Sequence, residues 1–190
     1  MQNPRQGDIF VMLTISLFMM DDFSSALLDG VRRCTAAFTG HRTYKGEADV
    51  ELMMTIADLH KRGITRFLCG MSWGFDLAAG RCVLEFKEKN PWVELVAVEP
   101  FAEFGSLFDG ADKELYDRIL AAADERVVVG ENDKGAYMLR NDYLVNNASV
   151  VVAWYNNIPR GGTAYTVRRA RKNRVEVVNL YPEPQLDLEF

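Results

Sequence analysis

The amino-acid sequence predicts an α/β fold: a doubly wound, mainly parallel sheet of about six strands with helices on both faces. Three observations carry the prediction. From residue 34 onward, short β-rich runs alternate with helical segments, with no internal repeat and no low-complexity linker. The run Ser149-Val150-Val151-Val152-Ala153 is apolar without alternation, which is how a strand reads when helices cover both its faces. Six β segments alternating with five helices imply right-handed βαβ crossovers, and these place the strands parallel.

Strands are expected over 34–39, 66–69, 93–98, 126–129, 149–154 and 175–180. Helices are expected over 47–62, 75–89, 111–123, 136–147 and 163–173. In the first helix Val50, Met53, Met54 and Ala57 recur at helical spacing and are read as its core stripe. Phe75, Ala79, Cys82 and Phe86 form a similar stripe in the second, as do Tyr116, Ile119, Leu120 and Ala123 in the third. In the fourth, Ala136, Leu139 and Tyr143 are expected to face the core, leaving Arg140 and Asn141 on another face.

A chain of 190 residues with 48% hydrophobic and 26% charged residues has the composition of one globular domain. The organisation expected is an N-terminal extension over 1–33, a Rossmann-like domain over 34–181 and a loose tail over 182–190. The apolar stretch 9–20 is too short to span a bilayer, which needs about 20 residues. It is read as packing on the domain or on a second copy, so a homo-oligomer is expected. Cys34, Cys69 and Cys82 lack metal or redox spacing and suit a reducing, cytoplasmic setting. Two histidines, His41 and His60, exclude a His-rich metal site; Mg²⁺ carried in with a ligand phosphate stays open. The net charge of −5 argues against nucleic acid as a partner.

In such folds ligands bind outside the carboxyl ends of the strands, so the residues after each strand carry the functional reading. After the first strand stands Thr39-Gly40-His41-Arg42, a tight turn followed by a planar cation suited to phosphate or carboxylate. After the second comes Gly70-Met71-Ser72-Trp73-Gly74-Phe75-Asp76, a glycine-rich helix entry of the kind that holds anions. Asp76 either caps that helix or meets a ribose hydroxyl or a metal. The segment also matches G-x-S-x-G, but both histidines precede Ser72, so the usual hydrolase triad has no base. Glu99 follows the third strand as a surface carboxylate or a partner for a ligand hydroxyl. After the fifth strand, Gly161 and Gly162 lead into a helix that Thr163 is placed to cap, a second phosphate cradle. Trp154 or Tyr155 either packs or stacks a base. The run Arg168, Arg169, Arg171, Lys172 and Arg174 is read as a solvated helix end.

Taken together these motifs resemble the SLOG superfamily, and within it the YpsA-like proteins, over about 34–180. The resemblance rests on the TGHR of 39–42, Gly74-Phe75-Asp76, Pro100-Phe101, Arg140-Asn141 and Gly161-Gly162-Thr163. It implies a Rossmann-like fold whose glycine-rich loops bind nucleotides or nucleotide-derived ligands. The related LOG phosphoribohydrolases carry P-G-G-x-G-T-x-x-E; the matching stretch here, 159–166, has no counterpart of the glutamate. DprA-like relatives bind single-stranded DNA, for which the acidic chain offers no extended basic groove.

The expected function is binding of a phosphate-bearing ligand, with a nucleotide as the cofactor-like occupant, by a sensor or regulatory module. The ligand-binding set is Thr39, Gly40, His41, Arg42, Gly70, Ser72, Gly74, Asp76, Glu99, Arg140, Asn141, Gly161, Gly162 and Thr163. The alternative is a hydrolase acting on an N-glycosidic or phosphate bond, with Asp76, Glu99 or Glu47 as acid–base candidates and Arg42 and Arg140 stabilising negative charge. A nucleic-acid or protein adaptor is a third reading.

Overall fold

The structure, a computed structural model, describes residues 25–182. The apolar stretch 9–20, the start of the N-terminal extension and most of the C-terminal tail lie outside the described residues. Residues 25–33 form a helix, α1, which runs directly into the sheet: the Thr35 hydroxyl donates to the Val31 carbonyl at 2.7 Å.

The elements then alternate as expected: β1 (Thr35–Gly40), α2 (Asp49–Lys61), β2 (Arg66–Cys69), α3 (Phe75–Lys87), β3 (Glu94–Glu99), α4 (Gly110–Ala122), β4 (Glu125–Val128), α5 (Ala136–Asn146), β5 (Val150–Trp154), α6 (Gly161–Lys172) and β6 (Glu176–Asn179). A short 3-10 turn, Phe104–Leu107, precedes α4 and was not foreseen. All strand pairs are parallel, in the order β4-β3-β2-β1-β5-β6. The chain winds outward from β1 in one direction and resumes at β5 on the other side. This makes the β1–β5 boundary the topological switch point, where a crevice opens at the strands' carboxyl ends.

Alternate strand residues feed two cores. Phe38, Phe67, Cys69, Leu95 and Ala97 pack with residues of α2, α3 and α4, while Ala37, Leu68, Val96, Val98 and Val151 pack with residues of α5 and α6. No helix among the described residues is long and apolar enough to cross a membrane.

Two helix faces differ from the sequence reading. In α2 the buried stripe is Leu52, Ile56 and Leu59, whereas Val50 and Met54 are 69% and 67% exposed. Both stripes have helical spacing, but the leucine–isoleucine stripe continues the line of buried Ala48 and buries more apolar area. In α5 the buried face is Ala136, Arg140, Asn141, Leu144 and Val145, and Leu139 is exposed. Ala136 at the start of the helix joins the apolar core, but Arg140 and Asn141 are buried against the crevice, so the middle of the buried face is polar.

Candidate functional site

A cleft of about 320 Å³ lies at the switch point. Thr39, Gly40, His41 and Arg42 line it from the end of β1, and Ser72 and Asp76 from the entry to α3. Arg140 and Asn141 enter from α5, Gly162 and Thr163 from the start of α6. Tyr137 also lines it and was missed by sequence reasoning. The signal was available: 137, 140, 141 and 144 fall at i, i+3, i+4 and i+7, one face of a helix.

Close backbone approach sets the geometry. Gly74 has φ +71°, and a Cβ there would lie 2.6 Å from the Arg42 carbonyl oxygen and 2.7 Å from that of His41. Only glycine lets the loop after β2 lie so tightly on the loop after β1. Met71, in the same loop, is a buried non-glycine residue at φ +59°, a conformation costing about 1 kcal/mol that its burial in the core sustains. His41 joins the loops after β1 and β5, its Nε2 accepting the Asn156 N–H at 3.1 Å.

Arg140 and Asp76 form the charged floor. Arg140 Nη1 donates to the Gly70 carbonyl and stands 3.3 Å from Asp76 Oδ2. Burial pushes the Asp76 carboxyl from 3.8 up to about 6, against the opposing pull of Arg140 and of the Ser72 and Gly40 backbone amides. Burial likewise lowers the Arg140 guanidinium, with Asp76 opposing it. Arg140 Nε is buried and has no hydrogen-bond partner among the described residues. Asp76 makes no side-chain cap for α3, and its side chain lines the cleft.

The start of α6 differs from expectation. The helix begins at Gly161, so Thr163 lies inside its first turn, and no side chain caps the end. A helix start without a side-chain cap leaves backbone N–H donors available to an anion. Gly70, Gly74 and Gly161 flank the cleft without lining it.

Glu99 stands elsewhere. It is fully buried and accepts hydrogen bonds from the Tyr116 hydroxyl and Arg126 Nε. Phe101, Phe104, Phe108 and Tyr116 form an aromatic cluster beside it. Trp154 and Tyr155 are buried: Trp154 packs on Tyr44 and Tyr181, and the Tyr155 hydroxyl donates to the Ile158 carbonyl. Glu47 is an exposed residue of the β1–α2 loop. No cluster of metal-ligating side chains occurs among the described residues.

The cleft thus offers two guanidinium groups, four hydroxyls, an amide and a helix start around one carboxyl, Asp76. That donor-rich set suits an anion carrying polar substituents. A carboxyl titrating near 6 can also exchange protons at neutral pH.

The family model YpsA, described as the YspA SLOG family, matches residues 49–183. The chain belongs to this SLOG family. The protein YoqJ of Bacillus subtilis, described as uncharacterised and prophage-derived, is 28% identical over 156 residues, covering 74% of this chain and 91% of that protein. A UPF0398 protein of Halalkalibacterium halodurans is 28% identical over 122 residues, covering 63% of this chain and 65% of that one. Among solved structures, DNA processing protein A (DprA) of Helicobacter pylori superposes with a TM-score of 0.61 at 19% identity, covering 84% of this chain and 70% of that chain. DprA of Streptococcus pneumoniae gives 0.60 at 19% identity, and there the SLOG chain covers only 53% of the neighbour's length. These neighbours share the Rossmann-like fold.

Proposed function

We propose that the switch-point cleft binds a phosphate-bearing, nucleotide-type ligand and that this SLOG domain acts as a sensory or regulatory binding module. The observation that supports it most is Arg140, a buried guanidinium at the cleft with an unpartnered Nε, across from the uncapped start of α6. Arg140 and Arg42 both line the cleft, so an anion filling it would be offered charge-assisted hydrogen bonds from two guanidinium groups. The test is native mass spectrometry of protein purified without added ligand, repeated on Gly162→Asp. A Cβ at Gly162 meets only Asn141 Nδ2, at 3.5 Å, and a carboxylate in the first turn favours the helix dipole. The variant should therefore fold while repelling phosphate. A nucleotide-like mass retained in Gly162→Asp would refute the reading. Release of hydrolysed fragments would instead point to turnover, with Asp76 as the proton-transfer group.

A second reading is that the cleft receives one nucleotide of a single strand. The Helicobacter pylori neighbour is described as binding single-stranded DNA, which counters the expectation drawn from net charge alone. Oligonucleotide binding that weakens steeply with salt would favour it; binding of mononucleotides alone would not.

A further inference from the structure

We propose that Arg42 and Trp73 form a subsite at the lip of the cleft that stacks the planar heteroaromatic base of the ligand whose sugar phosphate the cleft holds. The inference rests on the cleft reading above and adds the group that would recognise the base.

Trp73 lies between Ser72, which lines the cleft, and Gly74. One face of its indole stacks on Phe108, with ring centroids 4.0 Å apart and planes 16° apart. Phe104 meets it edge-on at 5.7 Å, and both phenylalanines are buried, so the indole rests on a fixed support. The Arg42 guanidinium carbon lies 4.7 Å from the indole centroid. Phe108 occupies one face, so Arg42 must occupy the other. Arg42 is exposed, lines the cleft and makes no ion pair among the described residues. The indole, rather than a carboxylate, therefore holds this cation in place.

The result is a layered stack, Phe108–Trp73–Arg42, with one open end. A guanidinium plane is weakly hydrated, and its outer face accepts a stacked base while its edge N–H groups stay free for phosphate. Cleft size points the same way. About 320 Å³ is at the small end for ligand sites, which run from about 300 to 1,000 Å³, so a sugar phosphate fills it and an attached base projects over the lip. The aromatic side chains after β5 do not compete for it, since Trp154 and Tyr155 are buried in packing contacts.

The experiment compares calorimetric affinities of adenosine 5′-monophosphate and ribose 5-phosphate for the wild type, Arg42→Lys and Trp73→Phe. The nucleotide should bind at least about tenfold tighter to the wild type, the scale of one stacked base. Arg42→Lys keeps the charge but loses the plane, so that ratio should fall towards one. Trp73→Phe preserves a flat support and should retain part of the ratio. The nucleotide, and not ribose 5-phosphate, should change the indole emission of the wild type, and this change should vanish in Trp73→Phe. Equal wild-type affinities, or a ratio unchanged in Arg42→Lys, would overturn the base subsite and leave the cleft reading standing. Binding of neither probe would overturn both.

Discussion

Arg140 and Asp76 form the one ion pair among the described residues in which both side chains are buried, at 7% and 5% exposure. They come from opposite faces of the sheet, Asp76 from α3 and Arg140 from α5, and meet at its carboxyl edge beside Gly70. Burying two charges costs more than their attraction returns unless further hydrogen bonds complete them. Here the Gly70 carbonyl serves Arg140, but its Nε stays open. Incomplete satisfaction of this kind marks a functional site more readily than a stabilising one.

The pair should leave a signature in stability against pH. The folded state raises Asp76 from 3.8 to about 6, so it binds this proton more strongly than the unfolded chain does. The group's contribution to stability is therefore complete below about 4 and lost as pH rises through about 6. Asp76→Asn should remove this falling component from urea midpoints measured across that window. Parallel pH profiles for the two proteins would refute the assignment.

Gly70→Ala should damage the same pair. A Cβ at Gly70 would lie 2.6 Å from Asp76 Oδ2 and closer still to Arg140 Nη1. Both side chains are buried and have little room to retreat, so overpacking should cost about 1–3 kcal/mol. Ligand affinity should fall as well, because Arg140 would be pushed from the cleft. Chemical denaturation alongside calorimetry separates the two effects, and a variant as stable as the wild type would show that the pair can move freely.

Much of this was legible in the sequence, and the misses share a cause. The apolar run of β5 and the glycine loops after β2 and β5 located the sheet and the cleft at its carboxyl edge. These signals are local, because strand burial and helix entry impose composition on neighbouring residues. The face of α5 was misread because apolar periodicity finds cores, whereas Arg140 and Asn141 are buried against a polar cleft. Glu99 was legible as a strand-end carboxylate but not as the partner of Tyr116 and Arg126, 17 and 27 residues away in sequence. The 3-10 turn that gathers Phe104 and Phe108 beneath Trp73 likewise depends on contacts across loops, which no short window displays.

Glu99→Gln should act on the fold and spare the cleft. Glu99 is fully buried, with Tyr116 on one oxygen and Arg126 on the other, and it does not line the cleft. Hydrogen bonds to a charged group contribute about 1.5–3 kcal/mol each, so the neutral amide should lower stability by at least about 1 kcal/mol. Ligand affinity should stay within about twofold, a difference of about 0.4 kcal/mol. A large loss of binding with unchanged stability would return Glu99 to the site.

Gly74 and Gly161 allow a controlled comparison, since both have positive φ but different surroundings. Their φ values are +71° and +88°. An alanine at either position carries a backbone penalty on the order of 1–3 kcal/mol, and at Gly74 ψ of −115° lies outside the left-handed helical region, which adds to its cost. At Gly161 nothing lies within 4 Å of the added Cβ, so that penalty should be the whole effect. At Gly74 the Cβ would meet the Arg42 and His41 carbonyl oxygens at 2.6 and 2.7 Å, and backbone cannot swing aside as a side chain can. Gly74→Ala must therefore part the loops after β1 and β2, which carry Arg42 and His41 on one side and Ser72 and Asp76 on the other. Denaturant titration should show Gly74→Ala less stable than Gly161→Ala by at least about 1 kcal/mol, the lower bound for overpacking. Equal losses would mean that the two loops are not held in register by this contact, and that something other than Gly74 shapes the mouth of the cleft.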